Sequence, residues 1–111
     1  NRQKGRRTMQ LHKKKRIEII IERPILRRMT DALDTSGVRG YTILPAHGGS
    51  GQDGAWERDG LVSAAGAMVA IICILDATNL EPVLDAIYAV VERQIGIVSV
   101  SDVEVIRSDH F

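Results

Sequence analysis

The first apolar run of the chain, "KRIEIIIE" at 15 to 22, is rich in β-branched residues and alternates enough to predict a strand. It stops at Pro24, which suits the first turn of a helix. Ile25, Leu26, Met29, Ala32 and Leu33 then recur at three-and-four spacing, predicting an amphipathic helix over 24–35 that ends with Gly37 in a stop position. "VRGYTILPA", 38 to 46, predicts a second strand closed by Pro45. A long segment from 46 to 63 shows neither period and reads as a loop holding many of the chain's glycines. The block "AAGAMVAIICIL", 64 to 75, predicts a third strand, begun by Ala64, Ala65, Gly66 and Ala67, central in its sheet and buried on both faces or at a subunit contact. Leu80, Val83, Leu84, Ala86, Ile87, Val90 and Val91 form the stripe of a second helix over 79–93, with Pro82 in its first turn and Gly96 past its end. "GIVSVSDVEVI", 96 to 106, alternates as one strand or as a strand pair turning at Ser101-Asp102.

The order β-α-β-β-α-β is the ferredoxin-like α+β pattern, in which right-handed crossovers put both helices on one face of an antiparallel sheet. The other face then needs a cover. With few aromatics and many Val and Ile on the strands, the expected cover is the same face of neighbouring copies, in a closed homo-oligomer and by preference a homotrimer.

A chain of 111 residues fits one domain, placed here at 16–111. Its formal charge of +1 conceals an asymmetry. Residues 1 to 16 carry eight of the fifteen Lys and Arg and no acid, which leaves seven basic against fourteen acidic residues in 17–111. Residues 1–15 are therefore expected to be a disordered, solvated basic tail, with a nucleic-acid or anionic-surface arm as the other reading of such a block. All the lysines lie there, so a phosphate held by the folded part would have to meet Arg side chains, backbone N–H groups or helix N-termini. No apolar run approaches the roughly 18 residues that span a bilayer, and the chain reads as cytoplasmic. The single cysteine, Cys73, lies in the apolar block and reads as a small buried residue.

Enzymatic chemistry is poorly supplied. His12, His47 and His110 are scattered, with no metal-ligand spacing and no Cys companion. No serine sits in a nucleophile elbow, and Asp31 with Asp34, like Asp85 with Glu92, falls on polar helix faces. "GGSGQDG", 48 to 54, satisfies neither the dinucleotide fingerprint nor the P-loop, for it lacks a Lys and a following helix. Its glycines would allow a backbone nest for an anion at the base of the loop.

"SGVRGYT", 36 to 42, directly before a long loop with a glycine cluster, together with the flanking β-α-β and the closing "GIVSV" strand, resembles the PII signalling proteins over about 16 to 107. The "ERPIL" opening of the first helix and the final "DHF" look most like the PII-like proteins of inorganic-carbon metabolism, which comprise regulators encoded with bicarbonate transporters and a carboxysome-associated branch. The resemblance implies a non-enzymatic homotrimer with an adenine nucleotide in each inter-subunit cleft. It also implies a T-loop whose ordering by ligand presents or hides a docking surface, the partner being a bicarbonate transporter or a carboxysome-associated protein.

Carried onto this chain, the resemblance assigns Thr42 to the adenine, with Arg39 and Tyr41 flanking it, and Gly48, Gly49, Ser50, Gly51 and Gln52 to the phosphates. Arg93 and Gly96 take the B-loop place, and Arg107 that of a C-terminal basic residue reaching phosphate. Bicarbonate is implied as a second ligand, with Arg58 its candidate donor. The chain departs from nitrogen-sensing PII proteins in having no Tyr within 46–63 and no Lys in the B-loop. Fewer cations favour fewer phosphates, hence ADP, AMP or cyclic AMP over ATP. A nitrogen-type regulator binding ATP and 2-oxoglutarate, a CutA-type trimeric metal protein and a small-molecule enzyme on the same fold are the alternatives.

Overall fold

A computed structural model of the chain describes residues 9–51, 54–57 and 67–107. Its main sheet has four strands, all antiparallel, in the order β2-β5-β1-β6: β1 (His12–Glu22), β2 (Thr42–Pro45), β5 (Met68–Leu75) and β6 (Gly96–Val105). Two helices, α1 (Leu26–Thr35) and α2 (Leu80–Val91), each enter through a single 3-10 turn and pack together on one face. This is the ferredoxin-like βαββαβ arrangement.

Alternation decides the core. Ile17, Ile19 and Ile21 of β1 and Val69, Ile71, Cys73 and Leu75 of β5 point to the helices and are buried with Met29, Leu33, Val83 and Ile87. The intervening residues take the opposite face, so among the described residues β5 is fully buried on one side only. β1 and β5 share the centre of the sheet. On the uncovered face Leu44, Ala70, Ile20 and Ile97 fall in register across all four strands, and Ile97 is 66% exposed. The Arg16 guanidinium lies 3.4 Å from the Glu18 carboxylate on that same face.

Several boundaries differ from those the sequence predicts. β1 begins at His12, so Lys13, Lys14 and Lys15 belong to a strand rather than to a solvated tail. β6 runs on to Val105 and supplies their ladder partners, while Asp76 and Asp102 bind Lys14 and Lys15 in ion pairs. The exposed Asp102 carboxyl is held below its ordinary range, chiefly by its hydrogen bond from Lys15. β6 is one strand, because its ladder to β1 continues through Ser101 and Asp102 without a turn. β2 is only four residues long, since pairing with β5 begins at Thr42. β5 starts at Met68; of its expected opening residues Ala67 precedes it, and Ala64, Ala65 and Gly66 lie outside the described residues. Part of the 46–63 loop is paired, with β3 (Gly48–Gly51) and β4 (Gly54–Glu57) forming an antiparallel two-stranded ladder.

Two glycines are required by the backbone. After α1, the Gly37 N–H donates to the Asp34 carbonyl at 3.2 Å and the Val38 N–H to the Leu33 carbonyl at 3.0 Å, the paired bonds of a Schellman stop, with Gly37 at φ 95°. At Gly96, opposite Ile21, a Cβ would stand 2.9 Å from both the Ile20 carbonyl oxygen and Ile21 Cγ2. Gly37→Ala and Gly96→Ala are each expected to lower the unfolding free energy by about 1–3 kcal/mol, read as a shifted urea midpoint. An unchanged midpoint in either variant contradicts this account.

Candidate functional site

The edge of the sheet opens where β2 stops pairing. The Met68 carbonyl accepts from the Ala46 N–H at 3.2 Å, and the Ala67 carbonyl from the Arg23 N–H at 2.9 Å. Main-chain groups alternate in direction along a strand, so the even-numbered residues of β5 turn theirs toward β2. Leu44 meets Ala70 and Thr42 meets Ile72; the next rung would join Gly40 to Ile74. That rung is not made. No backbone hydrogen bond joins the two among the described residues, and in its place lies a cleft of about 400 Å³ lined by Arg39, Gly40, Tyr41, Thr42, Ile72, Cys73 and Ile74. The N–H and C=O of Ile74 therefore face this opening as a donor and an acceptor side by side.

Of the site residues expected from sequence, Arg39, Tyr41 and Thr42 line this one cleft. Arg39 and Thr42 are exposed, whereas Tyr41 is half-buried and packs against the core. Gly48, Gly49, Ser50 and Gly51 form β3, beyond the other end of β2. Arg93 is exposed in the turn after α2, and Gly96 opens β6. β6 is the opposite edge of the sheet, three strand spacings or about 14 Å from β2. Arg107 follows the far end of β6. One protomer thus does not gather the expected residues. Gln52 and Arg58 lie outside the described residues. Gly40, Ile72, Cys73 and Ile74 escape sequence reasoning, because an isoleucine offering its main chain has the same signature as one filling the core.

Cys73 is 2% exposed, and burial pushes its thiol from 9.0 up to about 11. It contributes to the cleft wall as an uncharged residue. Among the described residues, no group of three His, Cys, Asp or Glu side chains could hold a metal ion.

The family model described as nitrogen regulatory protein P-II matches residues 14–110. The chain belongs to the P-II family. No curated protein matches it. Among solved structures, this P-II chain is similar to CPII, a nitrogen regulatory PII-like protein from Thiomonas intermedia bound to ADP, AMP and bicarbonate. The two are 32% identical over 90% of this chain and 94% of that one, with a TM-score of 0.80. A second CPII structure, bound to ADP and bicarbonate, is 33% identical over 90% of this chain and 95% of that one, at a TM-score of 0.77. A PII-like signaling protein from Thermus thermophilus shares the fold, at 23% identity over 88% of this chain and 94% of that one and a TM-score of 0.72. The fold class expected from sequence is thereby established. Among the described residues, no helix is long and apolar enough to cross a membrane.

The cysteine provides a test of the cleft wall. Native protein at pH 8 is expected to resist a thiol reagent that labels the unfolded chain stoichiometrically. The folded thiol holds its proton more tightly, so its contribution to stability is complete below pH 9 and lost as pH rises toward 11. Fast labelling of folded protein contradicts the burial.

Proposed function

We propose that this P-II protein is a non-catalytic sensor that binds ADP or AMP, with bicarbonate as a second ligand, in clefts between the subunits of a homotrimer. The observation that carries the reading is the missing Gly40–Ile74 rung. Adenine offers an amino donor beside a ring-nitrogen acceptor, the complement of one residue's C=O and N–H, so the base can occupy the place of the absent strand residue. A volume of about 400 Å³ suits such a group. The similarity to CPII, solved with ADP, AMP and bicarbonate, supports the choice of ligands.

Division of the expected site between two edges of the sheet supports assembly. Arg93 and Gly96 serve the cleft of a neighbouring protomer, and the uncovered row of Leu44, Ala70, Ile20 and Ile97 gives the copies an apolar surface to bury. Thr42 meets the base, while Gly48, Gly49, Ser50, Gly51 and Gln52 wrap the phosphates. Arg107 adds a cation and Arg58 reaches bicarbonate. Ligand then orders the hairpin segment by binding its closed form better than its open one, and so sets whether a partner docks. The partner class is a bicarbonate transporter or a carboxysome-associated protein, which places the protein in inorganic-carbon regulation in the cytoplasm.

The test is calorimetry with AMP, ADP, ATP and cyclic AMP, each with and without bicarbonate. ADP or AMP is expected to bind more tightly than ATP, with Thr42→Ala and Gly51→Trp both weaker than wild type. Because the matching family model is the nitrogen regulatory one, ATP with 2-oxoglutarate and magnesium is the contrasting arm. Preference for that pair replaces the carbon reading with a nitrogen one, and unchanged affinity in both variants refutes the site.

A further inference from the structure

The charges of α1 run in an unusual order. Arg27 and Arg28 stand in its first turn, Arg23 lies in the 3-10 turn just before it, and Asp31 and Asp34 come toward its C-terminal end. No acidic residue occupies the first turn and no basic one the last. The helix dipole favours the reverse, because its N-terminal end is positive and its C-terminal end negative. Arg27 and Asp31 have the i, i+4 spacing of a helix-surface pair. Yet among the described residues no ion pair includes Arg23, Arg27 or Arg28. Arg27 and Arg28 are exposed, and Arg23 is half-buried with its N–H fixed at 2.9 Å on the Ala67 carbonyl. Residues 17–111 hold seven arginines and no lysine, and three of those seven fall between positions 23 and 28.

We propose that Arg23, Arg27 and Arg28 form a docking surface for an acidic segment of a partner protein. The helix itself is weakened by this charge order, so the arginines answer to something outside it. A guanidinium offers a planar fork of donors that a carboxylate accepts two at a time. The three line no part of the 400 Å³ cleft, and an open surface suits an extended chain better than a small anion, which needs a concave site. Nucleic acid fits less well, because it requires continuous basic density. Arg16, the last basic residue of the N-terminal block, is seven residues from Arg23, or about 23 Å of strand, with Glu18 and Glu22 between. That exceeds the screening length of roughly 8–10 Å at physiological salt. The fourteen acidic residues of 17–111 also repel a long polyanion. The surface is independent of the nucleotide reading above.

The experiment follows the fluorescence anisotropy of a labelled peptide of alternating Glu and Gly, beside the same peptide with Gln for Glu and a single-stranded oligonucleotide of equal charge. Wild type is expected to bind the Glu peptide, more weakly as salt is raised, and to leave the Gln peptide free. The double variant Arg27→Gln/Arg28→Gln is expected to lose about 10-fold in affinity for the Glu peptide. Its thermal midpoint is expected to stay level or rise, because two cations leave the positive end of the helix. A lowered midpoint overturns the proposal, since the arginines would then be serving the fold. Wild-type affinity in the variant overturns it too, as does a wild-type protein that binds both peptides alike or neither. An oligonucleotide whose affinity falls in the variant as far as that of the Glu peptide replaces the acidic protein with nucleic acid.

Discussion

β5 is held by β1 over its whole length and by β2 over only four residues, and most of what is distinctive here follows from that inequality. The long ladder makes β5 a rigid wall. Its alternating side chains are committed to the core on one face, with Val69, Ile71, Cys73 and Leu75 all below a tenth exposed. Its even-numbered main-chain groups are committed to β2 as far as Ile72. Past that point the wall continues and its partner does not, and the cleft is the difference.

Both roots of the glycine-rich segment are tied to the same place. Ala46 donates to Met68, and Arg23 to Ala67, so the chain leaves and rejoins the sheet at the start of β5. The hairpin of β3 and β4 springs from these roots. A two-stranded hairpin on its own is marginally stable, unlike a four-stranded sheet packed on two helices. Sheet and glycine-rich segment meet at β2.

Charge is arranged to suit this division. Lys13, Lys14 and Lys15, which look like part of a solvated tail, instead belong to β1, with Lys14 and Lys15 matched by Asp76 and Asp102. The ion pairs join the N-terminal half of β1 to the turn before α2 and to β6. From Arg23 onward every Lys or Arg of the chain is an arginine, and one of them, Arg39, lines the cleft.

The βαββαβ order, the two helices, the buried Cys73 and the core alternation of β1 were legible in the residues, because burial on one face imposes periods of 2 and 3.6 that a sequence displays directly; β5, a continuous apolar run, showed its one buried face only in the sheet. The glycine motif around 37–42 likewise pointed to the cleft. Tertiary structure decided the rest. The start of β1 at His12 depended on β6 being long enough to pair with it, and the end of β2 on where two distant segments part. Neither leaves a mark on local periodicity. The open main chain of Ile74 was hidden for the same reason, since main-chain hydrogen bonding is common to every residue and only the fold determines which groups lack a strand partner.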